Sequence, residues 1–163
     1  MVIMLDSVKI EKSSDMQLIL GHAGFIKTAE DLYEALMNAS PNIKFGIAFN
    51  EASGGKLVRS EGNDDELRKL AEKNALKIGA GHTFIILFKN AFPINVSNAI
   101  KTVVEVSEIF CATANNVEVI IAKSNNKSAV LGVIDGEDAV DIENNKDKAI
   151  RRNFVRKIGY KLK

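Results

Sequence analysis

Apolar and polar positions along this chain mark out a series of short strands with a few helices set between them. Val2 to Glu11 and Met16 to Leu20 read as strands. Thr28-Ala29-Glu30-Asp31 then gives a helix start, a Thr N-cap with an acid three positions on, and Leu32, Ala35, Leu36 and Ala39 follow at helical spacing. Ile43 to Phe49 and Lys56 to Ser60 read as paired strands around Glu51-Ala52-Ser53-Gly54-Gly55. A second capping signal at Asn63-Asp64-Asp65-Glu66 opens a helix to Ile78, with Leu67, Leu70, Ala71 and Ile78 on one face.

Thr83 to Phe88 is an unbroken apolar run of strand length, as a strand buried on both faces requires. A short helix from Val96 to about Val104 follows, with Asn95 as its expected N-cap. The last third reads as a meander of Glu108–Ala114, Val117–Lys123 and Ala129–Ile134, joined at Asn115-Asn116 and at Ser124-Asn125-Asn126-Lys127. Asn tolerates the positive φ that tight hairpins demand. Ile150, Phe154, Val155 and Ile158 give a terminal helix one apolar stripe. Strands outnumber helices and connect mostly as hairpins. The pattern therefore predicts an α+β fold, a mixed and largely antiparallel sheet with helices packed mainly on one face. A three-layer α/β fold is the second choice, because a regular βαβαβ rhythm is missing.

At 163 residues, 46% of them hydrophobic, the chain is expected to form a single domain over 1–163 with a proper core. Its 22 basic and 21 acidic residues leave a net charge of +1, which gives no electrostatic case for nucleic acid as a partner. The lone Cys111 lies among apolar neighbours and reads as a small buried hydrophobe. A single cysteine fits a reducing, cytoplasmic setting, and no apolar run reaches the ~20 residues of a membrane span.

Candidate chemistry centres on Gly79-Ala80-Gly81-His82, which puts one of only two histidines on a glycine loop at the mouth of a strand. Such an imidazole can be a phosphate acceptor, a general base or a positioning donor, or merely a structural histidine at a helix end. Glu51-Ala52-Ser53-Gly54-Gly55-Lys56 is no P-loop: Leu57 stands where Ser or Thr would, and no helix follows. It reads as a glycine hairpin, with Ser53, Gly54 and Lys56 as possible anion contacts and Glu51 at the hairpin mouth. Asn95 and Lys101 sit beside an apolar wall, and Thr113 and Asn115 bring groups able to read a purine or ribose. No metal-ligand spacing, Gly-x-Ser-x-Gly elbow or dinucleotide fingerprint occurs, so neither metal nor cofactor is assigned.

Taken in order, Phe25-Ile26-Lys27-Thr28, Ile43 to Phe49, Glu51-Ala52-Ser53-Gly54, Gly79-Ala80-Gly81-His82, Ala91 to Val96, Cys111 to Asn115 and Leu131 to Gly136 form an ordered set spanning nearly the whole chain. In these the chain resembles the archaeal and bacterial adenosine-specific kinase family. The resemblance implies binding of adenosine or AMP, a phosphorylated histidine at His82, and a homo-oligomer, a trimer first. Two departures stand out. Gly21-His22-Ala23-Gly24 displaces a histidine of the family pattern, so His22 is expected to carry no role, and Asn115-Asn116 replaces Asn-Pro. The reading that follows is an adenosine- or AMP-binding phosphotransferase. His82 and Glu51 would be catalytic, with Lys27, Ser53, Gly54, Gly79, Gly81, Asn95, Lys101, Thr113 and Asn115 around the substrate. The alternative is a non-catalytic nucleotide sensor or oligomeric scaffold.

Overall fold

The structure, a computed structural model, describes residues 2–162. In chain order the elements are β1 (Met4–Lys9), β2 (Gln17–Ala23), α1 (Thr28–Ala39), β3 (Lys44–Asn50), β4 (Val58–Gly62), α2 (Asp65–Ile78), β5 (Thr83–Lys89), α3 (Pro93–Lys101), β6 (Val106–Thr113), β7 (Val117–Ser124), β8 (Lys127–Asp135) and α4 (Asn145–Lys157). Strands β4-β3-β5-β2-β6 make one sheet and β1-β7-β8 a second, and the registered pairs in both are antiparallel. The fold is α+β, as the patterning predicts.

The apolar run of β5 is explained by its central place. Phe84, Ile86 and Phe88 face one side with Leu32 and Leu36 of α1 and Val96 and Ile100 of α3. Ile85 and Leu87 face the other, against Leu67, Ala71, Ala75 and Ile78 of α2 and Val117, Val119 and Ile121 of β7. Two of the packed helices thus share a face, while α2 shares its face with the small sheet. Alternate residues of one strand feed two cores, because strand side chains point to opposite faces.

The expected meander of three strands splits between the sheets. β7 pairs with β8, but β6 pairs with β2 and β1 takes the other edge of β7. Val117, Val119 and Ile121 of β7 are buried inside the molecule by this arrangement. Two caps also shift by a residue or more. Thr28 lies inside α1 and its hydroxyl donates to the Phe25 carbonyl, and α3 begins at Pro93 with Asn95 as its third residue, accepting from the Phe92 amide at 2.8 Å. Proline at the first helical position needs no N–H partner, which moves the start forward. α4 forms as its stripe predicts but buries none of its residues.

Candidate functional site

One end of the five-stranded sheet gathers the C-terminal ends of β2 and β3 and the starts of β5 and β6. The loop from α2 into β5 is fixed there residue by residue. Gly79 closes α2 in the left-handed conformation, its amide donating to Ala75. Ala80 is buried, and Gly81 lies so close to Ala52 that an added Cβ would stand 2.8 Å from the Ala52 Cβ. This glycine serves a close approach between two loops. His82 itself sits at φ +64°, a conformation that costs a non-glycine residue roughly 1–2 kcal/mol. Its amide donates to the Asn50 carbonyl at 2.7 Å and its carbonyl accepts from Ala23 at 2.9 Å, which anchor it between β3 and β2. The buried Asn50 side chain ties the same region to the Ala75 and Ala80 carbonyls at 2.9 and 3.2 Å.

His22 stands beside it. The two imidazoles meet edge to face, centroids 5.7 Å apart, with the Phe49 ring stacked at 6.0 Å on His82. Neither ring nitrogen of His82 has a hydrogen-bond partner among the described residues. His22 Nδ1 lies 2.9 Å from the Ser107 hydroxyl. Burial, with the neighbouring His82 adding to it and Glu108 opposing, lowers the His22 pKa below its ordinary value. The His22 position depends on two irregularities in the β2–β6 pairing, one on each side of Gly21-His22, which leave Phe110 and Ser107 as extra residues. Gly21 makes room there: a Cβ would stand 2.4 Å from the Phe84 ring and 2.5 Å from the Glu108 carbonyl.

Two cavities border the glycine loop at Gly81. A 420 Å³ cavity runs between the β3–β4 loop, the glycine loop and the β7–β8 hairpin, with Glu51, Lys56, Gly79, Gly81, Lys127 and Ser128 in its wall. A 260 Å³ cavity lies on the His22 side, where Glu108, Thr83 and Ser128 line it. Gly81 and Ser128 border both. The Glu51 carboxylate accepts from the Leu57 amide at 3.1 Å and pairs with Arg59 at 3.1 Å. The Leu57 bond first, and then Arg59, hold its carboxyl below the usual range, so it is an anion that shapes its own loop.

The other expected residues divide. Ser53 and Gly54 lie in the same β3–β4 loop, Gly54 at φ +64°. Lys27 is four residues beyond β2 and exposed to solvent, but its ammonium is held by Asp31 and Glu105. Lys101 is exposed in the last turn of α3. Asn95, Thr113 and Asn115 are at the opposite end of the sheet. Thr113 pairs with Leu18, four positions along β2 from His22, or about 13 Å at ~3.3 Å per residue. Asn115 instead bonds Thr113 and Asp135. These three are therefore not part of the histidine end. His22, Ser107, Glu108 and Lys127 belong to it and were not legible without the strand register. Cys111 is buried, its thiol pushed up to about 12, and it is no nucleophile.

Among the described residues no cluster of three or more His, Cys, Asp or Glu side chains offers a metal site, and no helix is long and apolar enough to cross a membrane. The fold is α+β, with a histidine pair at one end of the five-stranded sheet and His22 in the wall of the smaller of the two cavities there. A family described as adenosine specific kinase matches residues 8–161, and the chain belongs to that family. Its function is accordingly adenosine-related. The chain is similar to the solved PH1918 protein of Pyrococcus horikoshii OT3, with 48% identity, a TM-score of 0.96 and coverage of 99% of this chain and 100% of that one. No curated protein matches it.

Proposed function

We propose that the protein binds adenosine or AMP in the 420 Å³ cavity and that His82 accepts a phosphoryl group beside it. The cavity falls in the roughly 300–1,000 Å³ range of small-ligand sites. The observation that carries the reading is the His82 imidazole itself, rigidly placed on a glycine loop with both ring nitrogens free of protein partners among the described residues. Imidazole nitrogen is nucleophilic near neutral pH. Amides of Ser53, Gly54 and Gly81 and the ammonium groups of Lys56 and Lys127 supply donors and positive charge for a phosphate, and Gly79, its own amide closing α2, shapes the loop. Glu51 keeps the β3–β4 loop in shape.

Titration of the purified protein with adenosine, AMP, ADP and ATP tests the ligand class. Adenosine and AMP are expected to bind more tightly than ADP and ATP, and equal or absent binding of all four overturns the reading. Incubation with γ-labelled ATP and adenosine tests turnover: acid-labile label on the protein and labelled AMP are expected. Adenosine binding without either product makes the protein a nucleotide sensor.

A homo-oligomer, with a trimer as the first expectation, is part of the same proposal. Its support is the apolar surface left open by α4 and the segment before it. Ile150, Phe154 and Ile158 lie along one exposed stripe, and Val140 and Ile142 are almost fully exposed. Light scattering is expected to give about three times the 17.8 kDa chain mass; a monomer at micromolar concentration contradicts it.

A further inference from the structure

Ser107 Oγ stands within hydrogen-bond reach of two groups of His22, its carbonyl and its Nδ1. Ser107 Oγ donates to the His22 carbonyl at 3.1 Å. A hydroxyl has one proton to give. Toward His22 Nδ1, 2.9 Å away, the same oxygen can then only accept. In that arrangement Nδ1 is the N–H nitrogen, and in the neutral ring Nε2 keeps its lone pair. Nε2 has no hydrogen-bond partner among the described residues, and His22 borders the 260 Å³ cavity shared with Gly81, Thr83 and Ser128. The arrangement is a base oriented by a third group.

We propose that His22 is the general base of the site, its Nε2 taking the proton from the nucleoside hydroxyl that receives the phosphoryl group. This rests on the reading of His82 as phosphoryl carrier. In loading, a nucleoside triphosphate gives its γ-phosphoryl to one nitrogen of neutral His82. The N–P bond forms, the bond to the β-phosphate oxygen breaks, and the nucleoside diphosphate leaves. The other ring nitrogen keeps its proton. In discharge, the adenosine hydroxyl oxygen forms a new O–P bond and the N–P bond breaks, its electron pair returning to the His82 ring. The hydroxyl proton passes to His22 Nε2 and from there to solvent.

The titratable groups facing His22 are His82, from the α2–β5 loop, and Glu108, its neighbour across from β6; the remaining residues of that cavity do not titrate. Burial first, and then the neighbouring His82, lower the His22 pKa from its ordinary value, which favours the free base in the unloaded site. A base of this kind works when unprotonated, so discharge falls as acid protonates Nε2.

The test is His22→Asn, whose amide N–H still reaches Ser107 Oγ but which supplies no basic nitrogen. The protein is loaded with γ-labelled ATP and chased with adenosine in a single turnover across pH 5–8. The variant is expected to load like the wild type, to discharge about 100-fold more slowly, and to lose the acid limb. Discharge at the wild-type rate, a retained limb, or a failure of the folded variant to load overturns the proposal. Should His22→Asn fail to fold, Ser107→Ala carries the test. It frees the tautomer and is expected to slow discharge about 10-fold; an unchanged rate overturns the proposal. Imidazole ¹⁵N shifts of the unloaded wild type read the tautomer independently, and a His22 ring protonated at Nε2 overturns the proposal even where loading is normal. A wild type that never loads removes the reading of His82 first, and the role of His22 with it.

Discussion

The two ends of the five-stranded sheet are built on opposite principles. At the histidine end, polar groups are tied down: Asn50 bridges β3 to α2 and the glycine loop, Ser107 holds His22, and His82 is pinned by bonds to Asn50 and Ala23. At the other end, Phe92 with Pro93 and Ile94 of α3, and Phe154, Ile158 and Tyr160 of the C-terminal segment, leave a mostly apolar 680 Å³ cavity, and α4 buries nothing. On the proposed reading, the contrast separates chemistry from assembly. Precise placement of titratable groups needs rigid, satisfied hydrogen bonds, whereas open apolar surface calls for cover.

The comparison is broken most severely at His82. His82→Ala is expected to abolish acid-labile phosphate on the protein while leaving its far-UV circular dichroism unchanged; label retained on the variant removes the acceptor role. The opposite end is tested by Phe154→Asp. A charge in the α4 stripe is expected to reduce the light-scattering mass to that of one chain and to leave adenosine affinity within about twofold. A tenfold loss of affinity instead would show that the site draws on both ends.

Gly81→Ala sharpens the account of the loop. Its new Cβ collides with Ala52, and overpacking of this kind costs about 1–3 kcal/mol. A fall of several degrees in Tm is expected, together with weaker adenosine binding, and Ala52→Gly in the same chain should restore both. Failure of that rescue contradicts the packing argument. The smallest effect is expected for Asn95→Ala, which removes the bond to the Phe92 amide at the start of α3. About 1 kcal/mol of stability should be lost by thermal melting, as when a helix cap is deleted, with adenosine affinity untouched.

Local signals carried much of this fold. The all-apolar Phe84–Phe88 run, the cap at Asp64 that accepts from the Leu67 amide at 3.0 Å, and the stripe of α4 all depend on neighbours within a few residues. The glycine loop and its histidine were legible for the same reason. What was not legible is pairing between distant segments. Val8 of β1 meets Val119 of β7, and β6 leaves its expected hairpin for β2, because register is chosen by which faces can be buried together. The histidine pair is the main consequence. His22 and His82 are 60 residues apart in sequence and meet only because β2 and β5 are neighbours, with His22 opposite Thr83. The role of Ser107 depends in turn on an extra residue in β6 that no periodicity announces. Conversely, Asn95, Thr113 and Asn115 carry suitable chemistry but are placed about the length of a strand away.

The central claim, that the adenosine ligand sits at the histidine end, is tested most directly by ¹H–¹⁵N spectra of the labelled protein during titration with adenosine. The account predicts shifts confined to Glu51–Leu57, Gly79–Thr83 and Asn126–Ser128, with the imidazole signals of His22 and His82. Shifts confined to Gln17, Phe92, Thr113, Phe154 and Tyr160, around the apolar cavity at the other end, would contradict it.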